Sequence, residues 1–378
     1  MKYVLLFLLG AVLNACALPD GTPPLGPQAP AALNYTPVEF NQLPGWEQDN
    51  LNDAISPFKL ACLRAAKISA DWQKACRAVA GVPLGEGQEL RAVLERYFQP
   101  YRLKAGEDQA FFTGYYLPAL QGSLKKTSRF SVPLYGVPEN LVTFNPQQFD
   151  ATVIQTRWTG RLEKQGRNLI LKPYFTRAEI DQGALKKAKP LVWVDNAVDA
   201  FFLHIQGSGI IELPKGKRKL IGYAANNGHS YQAIGRYLRE KNLIASPVSM
   251  QKIREYLEKN PKEAAHIFAQ NPSYVFFQWL EGDAPLGAAQ LPLTPARALA
   301  VDPKHIRLGL PLWAAVPEKN WQKLMLALDT GGAIKGPLRG DIYFGPGDRA
   351  AAIAGELQQS GELYMILPKN FGGQDDGG

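Results

Sequence analysis

The stretch Ala327-Leu-Asp329-Thr-Gly-Gly-Ala-Ile-Lys335-Gly-Pro-Leu-Arg-Gly-Asp341-Ile-Tyr343-Phe-Gly345 is the densest cluster of acids and glycines in the chain. An apolar strand ends in Asp329, a glycine-rich turn follows, and a second strand opens with Asp341. Acids at corresponding strand ends, with Lys335 and Arg339 between them, bring one carboxyl near another in a cleft. There the environment separates their pKa values and gives one of them an acid role. Asp beside Gly is also ordinary turn chemistry, so spacing alone leaves both readings open. Lys335 and Arg339 suit either a peptide carboxylate or the cover of a turn.

Outward from this stretch, 310–315, 323–329, 341–344 and 363–367 read as short β-rich runs, as do 110–116, 130–135, 152–158, 168–172, 191–194, 200–205 and 274–279. Helical spacing marks Glu86–Phe98, Ser230–Lys241, Ser249–Lys259 and Pro261–Gln270, the last with Asn260 as cap and Pro261 at its first position. Helices, strands, helices and strands in that order predict a mainly β, α+β chain in which a strand-rich segment interrupts a domain built from both ends. With 378 residues, 46% apolar, there is enough chain for two cores. Cys62 and Cys76 would lie about 21 Å apart on one continuous helix, too far to bond. A disulfide between them therefore needs a turn near 66–69, with Ser69 capping a second helix. The bond would close a loop worth about 3 kcal/mol.

Common nucleophile and metal signatures are missing: there is no G-x-S-x-G, H-E-x-x-H or C-x-x-C, and His204, His229, His266 and His305 are scattered. The expectation is no metal and no cofactor, with His204 a structural histidine in an apolar run.

At the N-terminus, Lys2 and an apolar run to Val12 precede Leu13-Asn14-Ala15-Cys16. The run is too short to span a membrane, which takes roughly 20 residues, and reads as an export signal, 1–15, ending in a lipobox. Cys16 is then the lipidated residue, held firmly because several acyl chains anchor where one is marginal. Ala17 in place of an aspartate favours the outer membrane, facing the periplasm. Residues 16–46, rich in proline, form a tether, and 372–378 a disordered tail. The net charge of +8 is concentrated: residues 111–231 hold 16 Lys+Arg against 8 Asp+Glu. In an exported chain this points to an anionic polymer such as peptidoglycan rather than nucleic acid. The run Lys215-Gly-Lys217-Arg218-Lys219 is equally consistent with a solvated face.

Further blocks sit around these features. They are Ala300-Val-Asp302-Pro-Lys-His-Ile-Arg-Leu-Gly309, Phe112-Thr113-Gly114-Tyr115-Tyr116-Leu-Pro118, Leu171-Lys-Pro-Tyr174-Phe-Thr-Arg177, His204-Ile-Gln206-Gly207-Ser208-Gly209, Gly222-Tyr223-Ala-Ala-Asn226-Asn-Gly228 and Asn271-Pro-Ser273-Tyr274-Val-Phe-Phe277. Together, over roughly 85–370, they resemble the membrane-bound lytic murein transglycosylase A family with its C-terminal 3D domain, named for three aspartates, here Asp302, Asp329 and Asp341. The resemblance implies a double-psi β-barrel catalytic domain from 47–108 and 232–371, a second β-barrel inserted at 109–231, and a groove between them for a glycan strand. It implies Asp341 as the catalytic acid with Asp329 close by, and Thr113, Tyr115, Tyr116, Gln206 and Ser208 along the groove. Asn226 joins them because its amide both donates and accepts, and strand alternation sends Tyr115 and Tyr116 to opposite sides. The implied activity is cleavage between N-acetylmuramic acid and N-acetylglucosamine with formation of 1,6-anhydromuramyl ends. A hydrolytic muramidase, which needs a second carboxylate across the bond, and a peptidoglycan-binding lipoprotein without chemistry are the alternatives.

Overall fold

In the computed structural model, residues 33–65, 69–106, 108–153, 157–185 and 187–369 are described. The expected signal segment, Cys16, most of the tether, residues 66–68 of the expected turn and the C-terminal tail lie outside them.

Strand β1 (Asn34–Pro37) leads to helices α1 (Ile55–Ala65), α2 (Ala70–Gly81) and α3 (Gly87–Tyr97). Ser69 caps α2 by accepting the Trp72 N–H, and a Cys62–Cys76 disulfide joins α1 to α2 with Cα atoms 5.4 Å apart. The chain continues into β2 (Phe98–Lys104) and β3 (Ala110–Leu117). After Pro118 it enters a second sheet as β4 (Ala119–Ser123) and β5 (Val132–Tyr135). Strands β6 (Leu141–Phe144), β7 (Trp158–Gln165) and β8 (Asn168–Pro173) form a separate three-stranded sheet, followed by a single turn α4 (Arg177–Glu179) and by β9 (Pro190–Val194).

Next come α5 (Ala197–Gln206), β10 (Ser208–Leu213), β11 (Lys217–Asn226), α6 (Ile234–Glu240), α7 (Met250–Lys259), α8 (Pro261–Ala269) and β12 (Val275–Leu280). The second sheet runs β12-β11-β10-β4-β9-β5, and its outer strands β5 and β12 meet. Its core is Leu120, Leu134, Val192, Val194, Leu203, Ile211, Ile221 and Phe277.

The C-terminal part supplies β13 (Ala298–Ala300), β14 (Pro311–Val316), β15 (Trp321–Asp329), β16 (Arg339–Pro346), α9 (Asp348–Glu356) and β17 (Gln358–Pro368). These strands and β3 close into a ring, β3-β17-β14-β15-β13-β16 and back to β3, with β2 and β1 added outside β17. Pairing is parallel at β13–β15 and β16–β3 and antiparallel elsewhere in the ring. The ring departs from the expected bounds of 47–108, 232–371 and 109–231: β3, from the expected insert, closes it, and β12, from the expected catalytic part, joins the second sheet, because strand pairing and not sequence order decides which sheet a strand completes. Every residue of β14 is buried, because the N-terminal segment covers the barrel outside: the Trp46 and Trp313 rings meet edge to face at 5.1 Å. Arg297, with no exposed side-chain surface, is bidentate to Asp49 at 2.6 Å and reaches Asp53 and the Leu324 carbonyl, tying that cover to the barrel. At Gly114 on β3 an added Cβ would lie 2.8 Å from the Ala354 backbone, so only glycine lets α9 sit this close to the barrel.

Three readings of local structure change. Residues 200–205 are helical, inside α5, not a strand. Asn196 caps α5 through the Val198 and Asp199 N–H groups. Within α5 the run 200–205 is apolar apart from His204, because Leu203 packs into the second sheet while Phe201 and Phe202 pack against α6–α8, so the run shows no 3.6-residue stripe. Within 152–158 only Trp158 enters a strand, and 154–156 lie outside the described residues. Asn260 stands at the N-cap position of α8, but its amide instead donates to the Tyr256 carbonyl at the end of α7, 2.8 Å.

Candidate active site

Barrel register assembles the acids. Ala300 of β13 pairs with Asp329 on one side and Asp341 on the other, Asp341 pairs with Thr113, and Thr113 with Gln358. The two acids of the quoted stretch are thus not neighbours across a hairpin; a third strand stands between them.

Thr113 Oγ1 donates to Asp341 Oδ1 at 2.6 Å while accepting from the Arg339 guanidinium at 3.2 Å. Since Arg339 occupies an acceptor position, the single Thr113 proton is committed to Asp341. Arg339 also donates to the Phe111 carbonyl and lies over the Phe111 ring, so it orients Thr113 rather than covering a turn. Tyr115 donates to Asp329 Oδ2 at 2.9 Å, and Asp329 Oδ1 accepts the N–H groups of Thr330 and Ala288 at 2.9 and 3.0 Å. All four side chains, Thr113, Tyr115, Asp329 and Asp341, belong to one cluster, with the Tyr343 ring 5.2 Å from that of Tyr115.

Burial pushes the Asp341 carboxyl up to about 6. The Thr113 hydrogen bond and the Arg339 charge restrain the rise, and the Asp329 charge adds to it. Burial also raises Asp329, against the Thr330, Tyr115 and Ala288 hydrogen bonds that lower it. Tyr115 is raised well above the usual phenol range by burial and then by the Asp329 charge. Asp341 is therefore a carboxyl that holds a proton close to neutrality, beside an acid whose oxygens are already engaged.

The other expected site residues are placed apart from this cluster. Tyr116 points to the opposite side, packing on Ala350 and Ala354 of α9. Gln206, at the end of α5, accepts the Tyr116 N–H at 3.0 Å, and Ser208 opens β10 beside it, half-buried. Asn226 ends β11, its Oδ1 accepting the Gly228 N–H. Lys335 is exposed on the loop between β15 and β16. Asp302, buried, accepts the N–H groups of Lys304 and Gly336 and shapes that loop. His204 is buried, its Nδ1 accepting the Val275 N–H. Among the described residues no group of three or more His, Cys, Asp or Glu is arranged to hold a metal ion.

Sequence reasoning missed the Ala288 N–H, which no side chain announces, and Tyr231. The Tyr231 hydroxyl is raised by burial and by the Asp341 charge, and its Cβ lies against Gly332.

Residues 111–278 match the MltA specific insert domain and 297–367 the 3D domain. The membrane-bound lytic murein transglycosylase A of Escherichia coli K12 is 34% identical over 268 residues, 68% of this chain; the matched region spans 65% of that relative's length. A membrane-bound lytic murein transglycosylase from Agrobacterium tumefaciens superposes with TM-score 0.79 at 30% identity, covering 89% of this chain and 98% of the other. MltA from Neisseria gonorrhoeae gives 0.76 at 33%, covering 91% and 97%. The E. coli protein with bound chitohexaose gives 0.63 at 25%, covering 90% and 95%. The chain belongs to the membrane-bound lytic murein transglycosylase A family.

Proposed function

We propose that the chain cleaves the β-1,4 bond between N-acetylmuramic acid and N-acetylglucosamine in peptidoglycan and leaves 1,6-anhydromuramyl ends. The observation that carries this reading is one protonatable carboxyl, Asp341, raised to about 6 in a barrel cleft. Thr113 holds its Oδ1, and among the described residues no hydrogen bond occupies Oδ2, which is the atom that carries the proton. Asp341 donates that proton to the glycosidic oxygen, N-acetylglucosamine departs as the alcohol, and positive charge develops at C1 of the muramyl ring. The carboxylate then takes the proton from the C6 hydroxyl of the same ring as its oxygen bonds to C1. No water enters the balance. Because the hydroxyl is tethered, it has a large effective concentration over water. A hydrolase needs a second carboxylate free to attack or to activate water. Asp329 accepts three hydrogen bonds and is poorly suited to that task.

In this reading 47–108 and 232–371, together with β3 and its Thr113 and Tyr115, carry the chemistry, and the rest of 109–231 grips the strand, with Gln206, Ser208 and Asn226 facing sugar hydroxyls and acetamido groups. Strand β12, from 232–371, pairs with β11 and belongs to the gripping sheet. Cys16 is lipidated and holds the protein on the outer membrane, facing the periplasm. No helix among the described residues is long and apolar enough to cross a membrane. Lipid labelling that survives in Cys16→Ser would refute the anchor. Mass spectrometry of muropeptides released from sacculi tests the reaction: 1,6-anhydromuramyl ends are expected, reducing muramyl ends would establish hydrolysis, and no release would leave a binding protein.

A further inference from the structure

A cavity of about 340 Å³ opens where the three-stranded sheet meets the end of β11, lined by Arg157, Trp158, Thr159, Asn226 and Gly228. Its two walls are held together at Gly228, where φ is +79° and an added Cβ would lie 2.8 Å from the Thr159 Cβ. A side chain there would wedge the walls apart. Asn227, only 1% exposed, anchors the turn by donating to the Phe175 and Pro272 carbonyls and accepting the Tyr274 N–H. The cavity is therefore built, not a chance gap between loops.

Its lining combines three kinds of recognition. Trp158 is 46% exposed, with its ring set edge to face on Phe144 at 5.8 Å, so nearly half of the side chain stands in solvent while the ring keeps a packing partner. Asn226 spends its Oδ1 on Gly228 and leaves its NH₂ as a donor. Arg157, exposed at the rim, puts a cation there whose charge opposes the burial that raises the Tyr223 hydroxyl, and no acid lines the cavity. An aromatic ring for the C–H side of a pyranose, an amide donor and a cation at the rim together fit an N-acetylated sugar bearing a carboxylate. From Asn226 the chain needs five residues, at most about 18 Å, to reach Tyr231, whose Cβ lies against Gly332 in the loop between Asp329 and Asp341.

We infer that this cavity is a distal subsite for an N-acetylmuramyl residue of the strand cut at Asp341, with Trp158 stacking on the ring, Asn226 donating to its acetamido oxygen and Arg157 pairing with its lactyl carboxylate. The assignment rests on the glycan reading above and adds to it a preference for muramyl over plain N-acetylglucosamine.

The test is calorimetric binding to the Asp341→Asn protein, with two probes: glycan oligosaccharides of alternating N-acetylglucosamine and N-acetylmuramic acid, and chitohexaose, which lacks the carboxylate. Trp158→Ala weakens both by on the order of tenfold, as expected for loss of a central aromatic contact. Trp158→Phe, which keeps the packing on Phe144, falls between Trp158→Ala and the parent. Arg157→Gln weakens only the muramyl probe. Unchanged binding of both probes by Trp158→Ala overturns the subsite. An Arg157→Gln effect that is equal on the two probes, or absent from both, overturns the muramyl assignment. The end groups released by the unmutated protein are scored separately, so failure of the reaction reading is told apart from failure of the subsite.

Discussion

The barrel ring and the second sheet each use six strands, but they treat charge in opposite ways. In the ring, β14 is buried throughout and β15 buries Leu324 to Leu328 in succession. A charge there has no water, so each one is matched or suppressed: Arg297 is saturated by Asp49 and Asp53, and Asp341 is pushed toward its neutral form. In the second sheet β10 alternates half-buried with buried residues, and Lys217 and Arg218 of β11 stand in solvent. Arg218 pairs with Glu212, and Lys219 lies over the Trp279 ring, contacts that are weak and screened at a surface. The proposed proton chemistry thus falls where dielectric is low, and the proposed hold on an anionic strand where charges remain hydrated.

The sharpest way to break this contrast is Asp341→Asn. The amide keeps shape but has no acidic proton, so turnover on sacculi should fall about 10³-fold or more, in the range general acid–base groups contribute. Strand binding measured by pull-down should persist. Near-normal turnover would remove Asp341 from the chemistry. Next in size is Asp49→Ala, which strands the buried Arg297 cation and should cost about 3–5 kcal/mol in urea unfolding. For Asp49 itself, burial alone would raise the carboxyl, but Arg297, the Leu324 N–H and Lys323 bring it below its ordinary value. A loss under about 1 kcal/mol would show that water reaches Arg297, contrary to a dry ring.

The pH dependence sharpens the same point. In the proposed mechanism Asp341 must be protonated to begin, so kcat/KM should decline as pH rises through about 6. Thr113→Val removes a hydrogen bond to the charged form and should move that limb up. Asp329→Asn removes a repelling charge and should move it down. Stability has the matching sign. The folded state binds this proton more tightly than the unfolded chain, whose carboxyl is near 3.8, so the contribution present below that value is lost as pH rises through about 6. Asp341→Asn should therefore gain stability over the parent at pH 8 and little at pH 3.5; equal differences at both would count against the raised carboxyl. The smallest effect belongs to the wet side: neutralising Lys215, Lys217, Arg218 and Lys219 together should weaken sacculus binding a few-fold at low ionic strength and hardly at all at high salt. No change at low salt would return the run to a solvated face.

By itself the sequence determined that the chain has an α+β, strand-rich fold, that two acids lie at strand ends beside glycine-rich turns, and that the cationic excess lies in the middle. Those are local properties, carried by period, turn residues and spacing. It also bounded the disulfide, because helix rise forbids Cys62 and Cys76 on one helix, and it put Thr113 and Tyr115 in a block with the right side-chain types. Tertiary structure alone decided that β13 stands between β15 and β16, that Ala288 offers its N–H to Asp329, and that Arg339 orients Thr113. It also decided that α5 is a helix despite an apolar run that reads as a strand, and that Trp158 shares a cavity with Asn226. The physical reason is common to all of these. Each depends on contacts between residues distant in the chain, and burial, which sets both the Asp341 proton and the α5 pattern, is a property of the surroundings and not of the residue.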